Sequence, residues 1–319
     1  MTKEKTALGE YWKRTRRAWK QQIAMFVKKL LIPTLKPLKN RRENERYIIS
    51  LTSYGKRIDD TVPYTILSLF KQKIKPDKII LWIGHKDKEN ISKILKKLVK
   101  KGLEIRFCED IKSYTKIIYA LESFPDDCII TADDDVLYPK NWLERLLTEH
   151  RKNPEKIICN RAHGIKTDEN HNPLPYNEWD YCIKPETYFE NGNSHFSVFP
   201  TGVGGILYPP KCFYKDITNR ELFMKLAPQA DDIWLWAMAV INGKFGNESP
   251  YVVVKHGDKG LKFEFGFSKS QKETGSALHH YNVHQNGNDR QLDAVIKHYP
   301  QIMETLKKIE PVKTKTDCK

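Results

Sequence analysis

The feature that most constrains the fold of this 319-residue chain is a regular alternation of short apolar runs with helix-like segments over its first half. Each apolar run is short enough for one strand, and each is followed by a segment with apolar residues at helical spacing. Four such units in succession predict an α/β body, with a mostly parallel sheet covered by helices on both faces. The predicted strands cover residues 46–53, 77–84, 103–110 and 127–135, and the predicted helices cover 61–72, 91–102, 113–124 and 138–153.

Composition limits the alternatives. A hydrophobic content of 39% supports a sizeable core, and no apolar run reaches the length of a membrane-spanning helix. The charged N-terminus does not have the pattern of a secretory signal peptide. The cysteines show no CxxC spacing, so we expect buried, reduced thiols in a cytosolic protein rather than a zinc site or a disulfide framework. The six cysteines are Cys108, Cys128, Cys159, Cys182, Cys212 and Cys318.

The positive charge is concentrated at the N-terminus. Residues 1–46 hold fourteen Lys/Arg and four Asp/Glu, which is most of the formal net charge of +15. Trp12, Trp19 and Phe26 belong to an apolar stripe at helical spacing that ends at Pro33. A basic amphipathic helix with tryptophans is typical of segments that lie on anionic membranes, although the same stripe could pack on the body. No nucleic-acid motif is present, so nucleic acid is not an expected partner.

Three consecutive aspartates end the fourth predicted strand, in the stretch "CIITADDDVLYPKNW". In parallel α/β sheets, ligands bind outside the carboxyl ends of the strands. If the backbone stays extended, Asp133 and Asp135 point the same way, and a hard divalent cation would neutralise both. An ion with only two protein carboxylates keeps positions open for phosphate oxygens. The alternative is an acidic turn that caps the next helix, although a cap needs one aspartate rather than three.

An apolar strand that ends in Asp-x-Asp after three β–α units resembles the GT-A glycosyltransferases, in particular bacterial family-2-type enzymes that build capsule or lipopolysaccharide sugars. The resemblance covers roughly residues 46–245. It implies a GT-A (Rossmann-like) fold, a nucleotide-diphosphate sugar donor, expected to be a UDP-sugar, and Mn²⁺ or Mg²⁺ as cofactor. It places Asp133 near the ribose and the metal, Asp135 on the metal and Asp134 beside them.

Further donor contacts follow from the same resemblance. Its opening unit would line the base and ribose, and basic or acidic residues near the strand ends would contact the base or the diphosphate. The glycine-rich segment "TGVGGILYPP" is similar to one that contacts a donor or acceptor sugar, with a tight turn as the alternative. The residues concerned are Thr52, Ser53, Tyr54, Arg57, Asp110, Lys116, Gly204 and Gly205.

A second signature is "ADDIWLW", which is similar to the acidic pair that opens a helix in family-2-type enzymes. The resemblance makes Asp232 the catalytic base, with Asp231 at a position where Glu is common. An attacking hydroxyl needs such a base, and one base opposite one leaving group implies inversion. The alternative is that one of these aspartates only caps the helix. Some GT-A enzymes take a third metal ligand from a C-terminal histidine, which suggests His284 here, with His256 as a competitor.

The sequence therefore predicts three parts: a basic arm over residues 1–45, a GT-A domain over 46–300 and a polar tail over 301–319. The expected activity is metal-dependent transfer of a sugar to a hydroxyl of a glycan or lipid-linked acceptor. We expect the protein on the cytoplasmic, inner face of the cell membrane, bound through residues 1–46. The alternatives are a phosphatase of the haloacid-dehalogenase type, in which Asp133 would be a nucleophile, and a non-catalytic membrane-associated scaffold.

Overall fold

The computed structural model describes residues 34–38, 45–255, 264–265 and 286–312. A seven-stranded sheet in the order β10-β6-β9-β4-β1-β2-β3 forms its centre, and two short two-stranded sheets, β11-β5 and β7-β8, flank it. The strands are β1 (Tyr47–Ser53), β2 (Lys78–Gly84), β3 (Leu103–Cys108), β4 (Cys128–Thr131), β5 (Val136–Leu137), β6 (Ile157–Cys159), β7 (Ala162–Gly164), β8 (Val198–Pro200), β9 (Ile206–Tyr208), β10 (Tyr251–Val253) and β11 (Glu264–Phe265).

Helices cover both faces of the central sheet, as the sequence predicts. One apolar cluster includes residues of α4, α7, α8, α9 and α10, and the other includes residues of α1, α2, α3 and α5. The helices are α1 (Arg57–Asp60), α2 (Val62–Phe70), α3 (Lys93–Val99), α4 (Thr115–Ser123), α5 (Trp142–Lys152), α6 (Pro185–Tyr188), α7 (Arg220–Leu226), α8 (Asp231–Val240), α9 (Gly287–His298) and α10 (Ile302–Leu306).

Strand β1 shows why these segments form a two-sided sheet. Successive side chains of a strand point to opposite faces, and Ile48 lies in one apolar cluster while Ile49 lies in the other. Both are fully buried, as expected for a parallel strand with helices on each side. Strand β1 pairs in parallel with β2 and β4, and β2 pairs in parallel with β3. The predicted α/β class and mostly parallel sheet are confirmed.

Strand β9 interrupts the parallel order. It lies between β4 and β6 and pairs antiparallel with both, while β6 and β10 are parallel to each other. The segment before β9 therefore lies at the same edge of the sheet as the carboxyl ends of β1, β2, β3, β4 and β6. The sequence does not predict strand β9, because its three residues, which stand between glycines and prolines, are too few to show a periodic pattern.

The segments outside the predicted domain boundaries pack on the body. Leu35 is buried, and the Leu38 N–H donates to the Lys101 carbonyl at 3.1 Å. Ile302 and Leu306 are fully buried on α10, within the tail that the sequence predicts to be polar from residue 301. These two apolar residues are four apart on a short helix, and this spacing supplies an inward face. Among the described residues, no helix is long and apolar enough to cross a membrane.

Of the cysteines that the structure describes, four are buried free thiols as predicted, and Cys182 is exposed. Cys128 lies at the start of β4, where its Sγ is 3.6 Å from His150 Nε2 and 3.3 Å from Glu45 Oε1. Glu45 also accepts a hydrogen bond from the Tyr47 hydroxyl at 2.7 Å. This polar cluster lies at the amino ends of β1 and β4, at the opposite edge of the sheet from the predicted site.

Gly205 is the glycine whose lack of a side chain the packing requires. Its φ is +86°, and a Cβ there would lie 2.6 Å from Trp142 Cζ2 and 2.8 Å from the Thr131 carbonyl. Trp142 is fully buried, and its indole N–H donates to the Gly204 carbonyl at 2.6 Å. The glycine thus lets the chain pass close to β4 and α5 just before β9.

We predict that Gly205→Ala lowers the free energy of unfolding by about 2–4 kcal/mol, because left-handed strain adds to overpacking. Gly192→Ala is the matched control, since Gly192 has a φ of +85° and nothing within 4 Å of its Cβ position. The control loses only about 1–2 kcal/mol. Denaturant unfolding of both variants measures the difference. Equal losses would show that Trp142 and β4 yield freely to the added methyl group.

Candidate functional site

Two adjoining cavities lie at the carboxyl edge of the sheet. The first, called the β1 cavity, has a volume of about 450 Å³. Eight of the residues predicted to contact the donor line it, and they come from the ends of β1, β3 and β4 and from the starts of α1 and α4. These are Thr52, Ser53, Tyr54, Arg57, Asp110, Lys116, Asp133 and Asp134.

The second, called the α8 cavity, has a volume of about 270 Å³. The predicted catalytic pair, Asp231 and Asp232, lines it together with residues from the segment before β9. Ser113, Lys116 and Asp133 line both cavities, so the two volumes meet at these side chains. A ligand in one cavity therefore lies next to a ligand in the other.

The three consecutive aspartates do not continue β4 as an extended strand. The strand ends at Thr131, and Asp134 and Asp135 lie in a turn, so the premise of strict alternation is wrong. Asp134 is directed inward, where it accepts from the Ser53 hydroxyl at 2.6 Å and from Arg57 Nη1 at 2.9 Å. The side chains of Asp133 and Asp135 remain 22% and 17% exposed against 8% for Asp134, so solvent can reach the outer two.

Asp134 therefore forms part of the wall of the β1 cavity and holds β1 and α1 to the turn. Burial raises the pKa of its carboxyl, while Arg57 and the Ser53 hydroxyl oppose that shift. Arg57 also lies 4.0 Å from Asp135 Oδ2, so a single guanidinium offsets charge on two of the three aspartates.

Lys116 offsets the charge where the two cavities meet. Its Nζ lies 3.4 Å from Asp133 Oδ1 and 3.8 Å from Asp231 Oδ2. Burial lowers the pKa of the amine, but Asp231, Asp133 and Asp232 outweigh that effect and hold the pKa above its ordinary value. Lys116 is therefore a cation fixed between the aspartate turn and the α8 pair.

The acidic pair opens α8, as the sequence predicts, but the Asp232 side chain bonds outside this helix. It accepts two contacts from the Gly202 N–H, at 3.0 Å to Oδ1 and 3.2 Å to Oδ2. This bond joins the start of α8 to the segment before β9, and no side-chain cap bond is made at the start of α8. Asp231 is buried, and its Oδ2 has no hydrogen-bond partner in the described structure.

The environment of Asp232 raises the pKa of this carboxyl to about 7. Burial is the main cause, and the charge of Asp231 adds to it, while Lys116 and the Gly202 N–H act in the opposite direction. A carboxyl with a pKa near neutrality can take up a proton at physiological pH, which is the requirement for a general base. Burial also raises the pKa of Asp133, with Lys116 opposing the shift.

The donor set at the aspartate turn fits a hard divalent cation. Asp133 and Asp135 offer carboxylate oxygens that solvent can reach, and Asp231 Oδ2, which makes no hydrogen bond and lies 3.8 Å from Lys116 Nζ, adds negative potential at the α8 side. Within the described residues, the one group of three metal-ligating side chains within 4.8 Å of one another is Glu45, Cys128 and His150, at the far edge. An ion at the turn would therefore need additional ligands, such as oxygens of a bound diphosphate. His284 and His256 lie outside the described residues.

The outer wall of the β1 cavity carries an exposed aromatic ring. Tyr54 is 54% exposed, and the Arg57 guanidinium carbon lies 5.4 Å from its ring centroid. Thr52 donates its hydroxyl to the Trp82 carbonyl at 3.1 Å, so this side chain is tied to β2. Lys86 Nζ lies 2.7 Å from Asp110 Oδ2. Burial raises the pKa of the Asp110 carboxyl, but the hydrogen bond from Lys86 outweighs burial and holds this pKa below its ordinary value.

Gly204 and Gly205 do not line either cavity, contrary to their predicted contact with a sugar. Gly204 accepts hydrogen bonds through its carbonyl, and Gly205 packs against Trp142, so both serve the folding of the segment before β9. Gly202 is the glycine at the cavity: a Cβ there would lie 3.1 Å from Lys116 Nζ and 3.3 Å from Asp232 Oδ1. The spacing of glycines in this segment does not distinguish Gly202, which lines the cavity, from Gly204 and Gly205.

Sequence reasoning missed most of the α8 cavity. Its outer wall comes from the loop-rich stretch after β6, which has no periodic pattern, from Gln229 before α8 and from the first turn of α9. The aromatic content of residues 164–200 was the one available signal. The missed residues include Arg161, His163, Tyr176, Tyr181, Gln229 and Asn288.

Comparison with known proteins finds one matching family model. Residues 49–206 match the model of glycosyl transferase family 2, a segment that begins in β1, contains the aspartate turn and ends at β9. No curated protein matches the chain.

Solved structures offer only distant likenesses. A mannosyltransferase from Pyrobaculum calidifontis, in complex with GDP-Man and Mn²⁺, is 12% identical with a TM-score of 0.47, over 91% of this chain and 79% of that one. The 4-diphosphocytidyl-2C-methyl-D-erythritol synthase from Anaerococcus prevotii is 15% identical with a TM-score of 0.41, over 68% of this chain and 90% of that one. Residues 49–206 therefore resemble a glycosyl transferase family 2 domain, and they include most of the mostly parallel sheet described above, which has the α/β architecture of the GT-A type.

Proposed function

We propose that this protein transfers a sugar from a nucleotide-diphosphate sugar, a UDP-sugar in particular, to a hydroxyl of a surface-glycan acceptor, with a divalent cation and with inversion. One observation carries the proposal. Asp232, a half-buried carboxyl with a pKa raised to about 7, lies in a cavity that adjoins the β1 cavity at Lys116 and Asp133. This arrangement suits a donor on one side and an acceptor on the other.

The β1 cavity would hold the nucleotide. Its volume suits a nucleotide, and the exposed Tyr54 ring beside Arg57 suits stacking of a base. The cations Arg57 and Lys116 lie toward the aspartate turn, where they would contact the diphosphate. Asp110 and Lys86 lie at the other wall and would contact the base.

Asp133 and Asp135 would hold Mn²⁺ or Mg²⁺ at the turn, with diphosphate oxygens completing the coordination. When bound, the ion supplies Lewis-acid stabilisation of the negative charge on the departing nucleotide diphosphate. Lys116, whose amine already lies between Asp133 and Asp231, would stabilise the same charge from the protein side.

Asp232 would remove the proton from the attacking hydroxyl. The Gly202 N–H fixes the orientation of its carboxylate, and the nearby Asp231 keeps its pKa high enough for proton uptake. The hydroxyl oxygen then attacks the anomeric carbon from the α8 cavity as the diphosphate leaves into the β1 cavity. Attack and departure on opposite sides invert the configuration at that carbon.

Neither earlier alternative is favoured by a structural observation. A phosphatase of the haloacid-dehalogenase type is not favoured, because Asp133 follows the fourth strand and adjoins Lys116 in a two-part cavity. A scaffold is not favoured, because the acidic pair on α8 would have no role in it.

We also propose that the basic arm holds the enzyme at the cytoplasmic face of an anionic membrane, near a lipid-linked or glycan acceptor. Residues 1–33, which carry the amphipathic pattern, lie outside the described residues.

We predict that Asp232→Asn lowers the rate of sugar transfer at least about 1000-fold and leaves UDP affinity within about 2-fold, because the amide cannot accept the proton. In the unmodified protein, kcat/KM rises with pH and levels off above about 7, because protonation of Asp232 at lower pH removes the base. Transfer assays across pH 5–9 with the donor that gives the best turnover measure both effects. The matched control is Asp126→Asn, an exposed aspartate before the amino end of β4, which keeps full activity.

Substantial transfer by Asp232→Asn, with an unchanged pH profile, would place the base elsewhere.

We predict that deletion of residues 1–33 abolishes flotation with liposomes that contain anionic lipids and leaves UDP binding unchanged. The cut is placed before residue 34 because Leu35 and Leu38 contact the body. The full chain floats with anionic liposomes and not with neutral ones, because basic side chains provide part of the attraction. Equal flotation of both proteins would rule out the arm as the anchor.

A further inference from the structure

Arg161 differs from three other cations that line the two cavities. Arg57, Lys86 and Lys116 each lie within 3.4 Å of a carboxylate. Arg161 has no carboxylate within 4.0 Å in the described part of the chain. Its Nε donates to Cys182 Sγ at 3.1 Å, and its guanidinium carbon lies 5.3 Å from the centroid of the Tyr181 ring.

This guanidinium is half-buried and lines the α8 cavity. It keeps its charge at all physiological pH values, and a partly desolvated charge without a counter-ion is unfavourable. A bound anion would supply the missing partner through the two terminal nitrogens, in the bidentate geometry that guanidinium groups favour with carboxylates and phosphates.

The surroundings hold Arg161 in position. Tyr181 is 58% exposed and stacks on His163, with the ring centroids 4.1 Å apart and the planes 23° from parallel. The Cys182 N–H donates to His163 Nδ1 at 2.9 Å, so the ring proton of the neutral histidine lies on Nε2. Burial, followed by the charge of Arg161, lowers the His163 pKa to about 3, so His163 stays neutral and does not compete for the anion.

The charge distribution in the α8 cavity sets the direction in which an acceptor lies. Asp133, Asp231 and Asp232 line one part of the cavity and repel an anion, and Arg161 attracts one. Tyr176 lines the same cavity as Asp232 and Arg161; burial and then the charge of Asp232 raise the Tyr176 pKa, while Arg161 lowers it. The exposed Tyr181 ring offers an apolar face against which a sugar ring can lie.

We propose that the acceptor carries an anionic group, a carboxylate or a phosphate, which Arg161 binds while the reacting hydroxyl lies at Asp232. The inference rests on the proposed function, since it assigns the α8 cavity to the acceptor. Arg161 does not line the β1 cavity, so its role is separate from that of the cations expected at the donor diphosphate. Arg161 then determines which acceptors are used, and Tyr181 binds sugar rings of any charge.

The test measures binding rather than turnover, with the full chain saturated with UDP and Mn²⁺. The probes are three matched p-nitrophenyl glycosides: the β-glucoside, the β-glucuronide and the β-glucoside 6-phosphate. Ligand-observed NMR titration gives the Kd of each. We expect one or both anionic probes to bind at least about 10-fold more tightly than the neutral one, the size of effect typical of a charge-assisted hydrogen bond. Preference for the glucuronide indicates a carboxylate acceptor, and preference for the phosphate indicates a phosphorylated one.

Arg161→Gln is expected to bring the anionic probes to the affinity of the neutral one, with the Kd for UDP unchanged. Tyr181→Ala, at an exposed position, weakens the neutral probe as well as the anionic ones, because the ring offers the apolar face against which the sugar lies. Because the readout is a ratio, a general loss of stability does not imitate the result. Equal affinity of the three probes for the unmodified protein, or a UDP affinity that falls with Arg161→Gln, would overturn the proposal. A failed Asp232→Asn experiment would instead overturn the assignment of the base and leave these affinities unaffected.

Discussion

The site depends on the placement of one ammonium group among carboxylates. Lys116 reaches from α4 to the point where the aspartate turn and the start of α8 come together, within 4 Å of Asp133 and of Asp231. Without that charge, the buried carboxylates on two separate elements would repel each other at the edge of the sheet. Lys116 lines both cavities, so one positive charge offsets Asp133 on the side of the β1 cavity and Asp231 on the side of the α8 cavity. Arg57 has the equivalent task at Asp134 and Asp135.

The sheet topology brings these elements together. Strands β1, β2, β3 and β4 place their carboxyl ends at one edge, and this edge contributes the whole β1 cavity. Because β9 is antiparallel to β4, its amino end lies at the same edge of the sheet, and Gly202, which precedes β9, lies there beside Asp232. Gly205 allows this entry past Trp142. A substitution in the packing behind β9 would therefore shift the N–H that orients Asp232.

The sequence was sufficient for the parts of the structure that repeat. The β–α alternation predicted β1 to β4 and their helices within a few residues, because apolar periodicity reports which face is buried. Asp133, Lys116 and Asp232 line the α8 cavity, and the sequence points to each of them because each stands near the start or end of a strand or helix. The aspartate turn was predicted as extended, because a run of identical residues contains no signal for the residue at which a strand stops. Arg161, Tyr176 and Tyr181 were missed, since loops that become ordered only by tertiary contacts carry no periodicity.

We infer that a divalent cation, bound together with a diphosphate, offsets the mutual repulsion of the aspartates at this edge. The most direct measurement is the melting temperature with UDP, with and without Mn²⁺, since ligands of the native state raise it. We expect stabilisation by UDP only when Mn²⁺ is present, its loss on addition of EDTA and in Asp135→Ala, and its retention in Asp126→Asn. Stabilisation by UDP that is unchanged by EDTA, or unchanged in Asp135→Ala, would contradict the account.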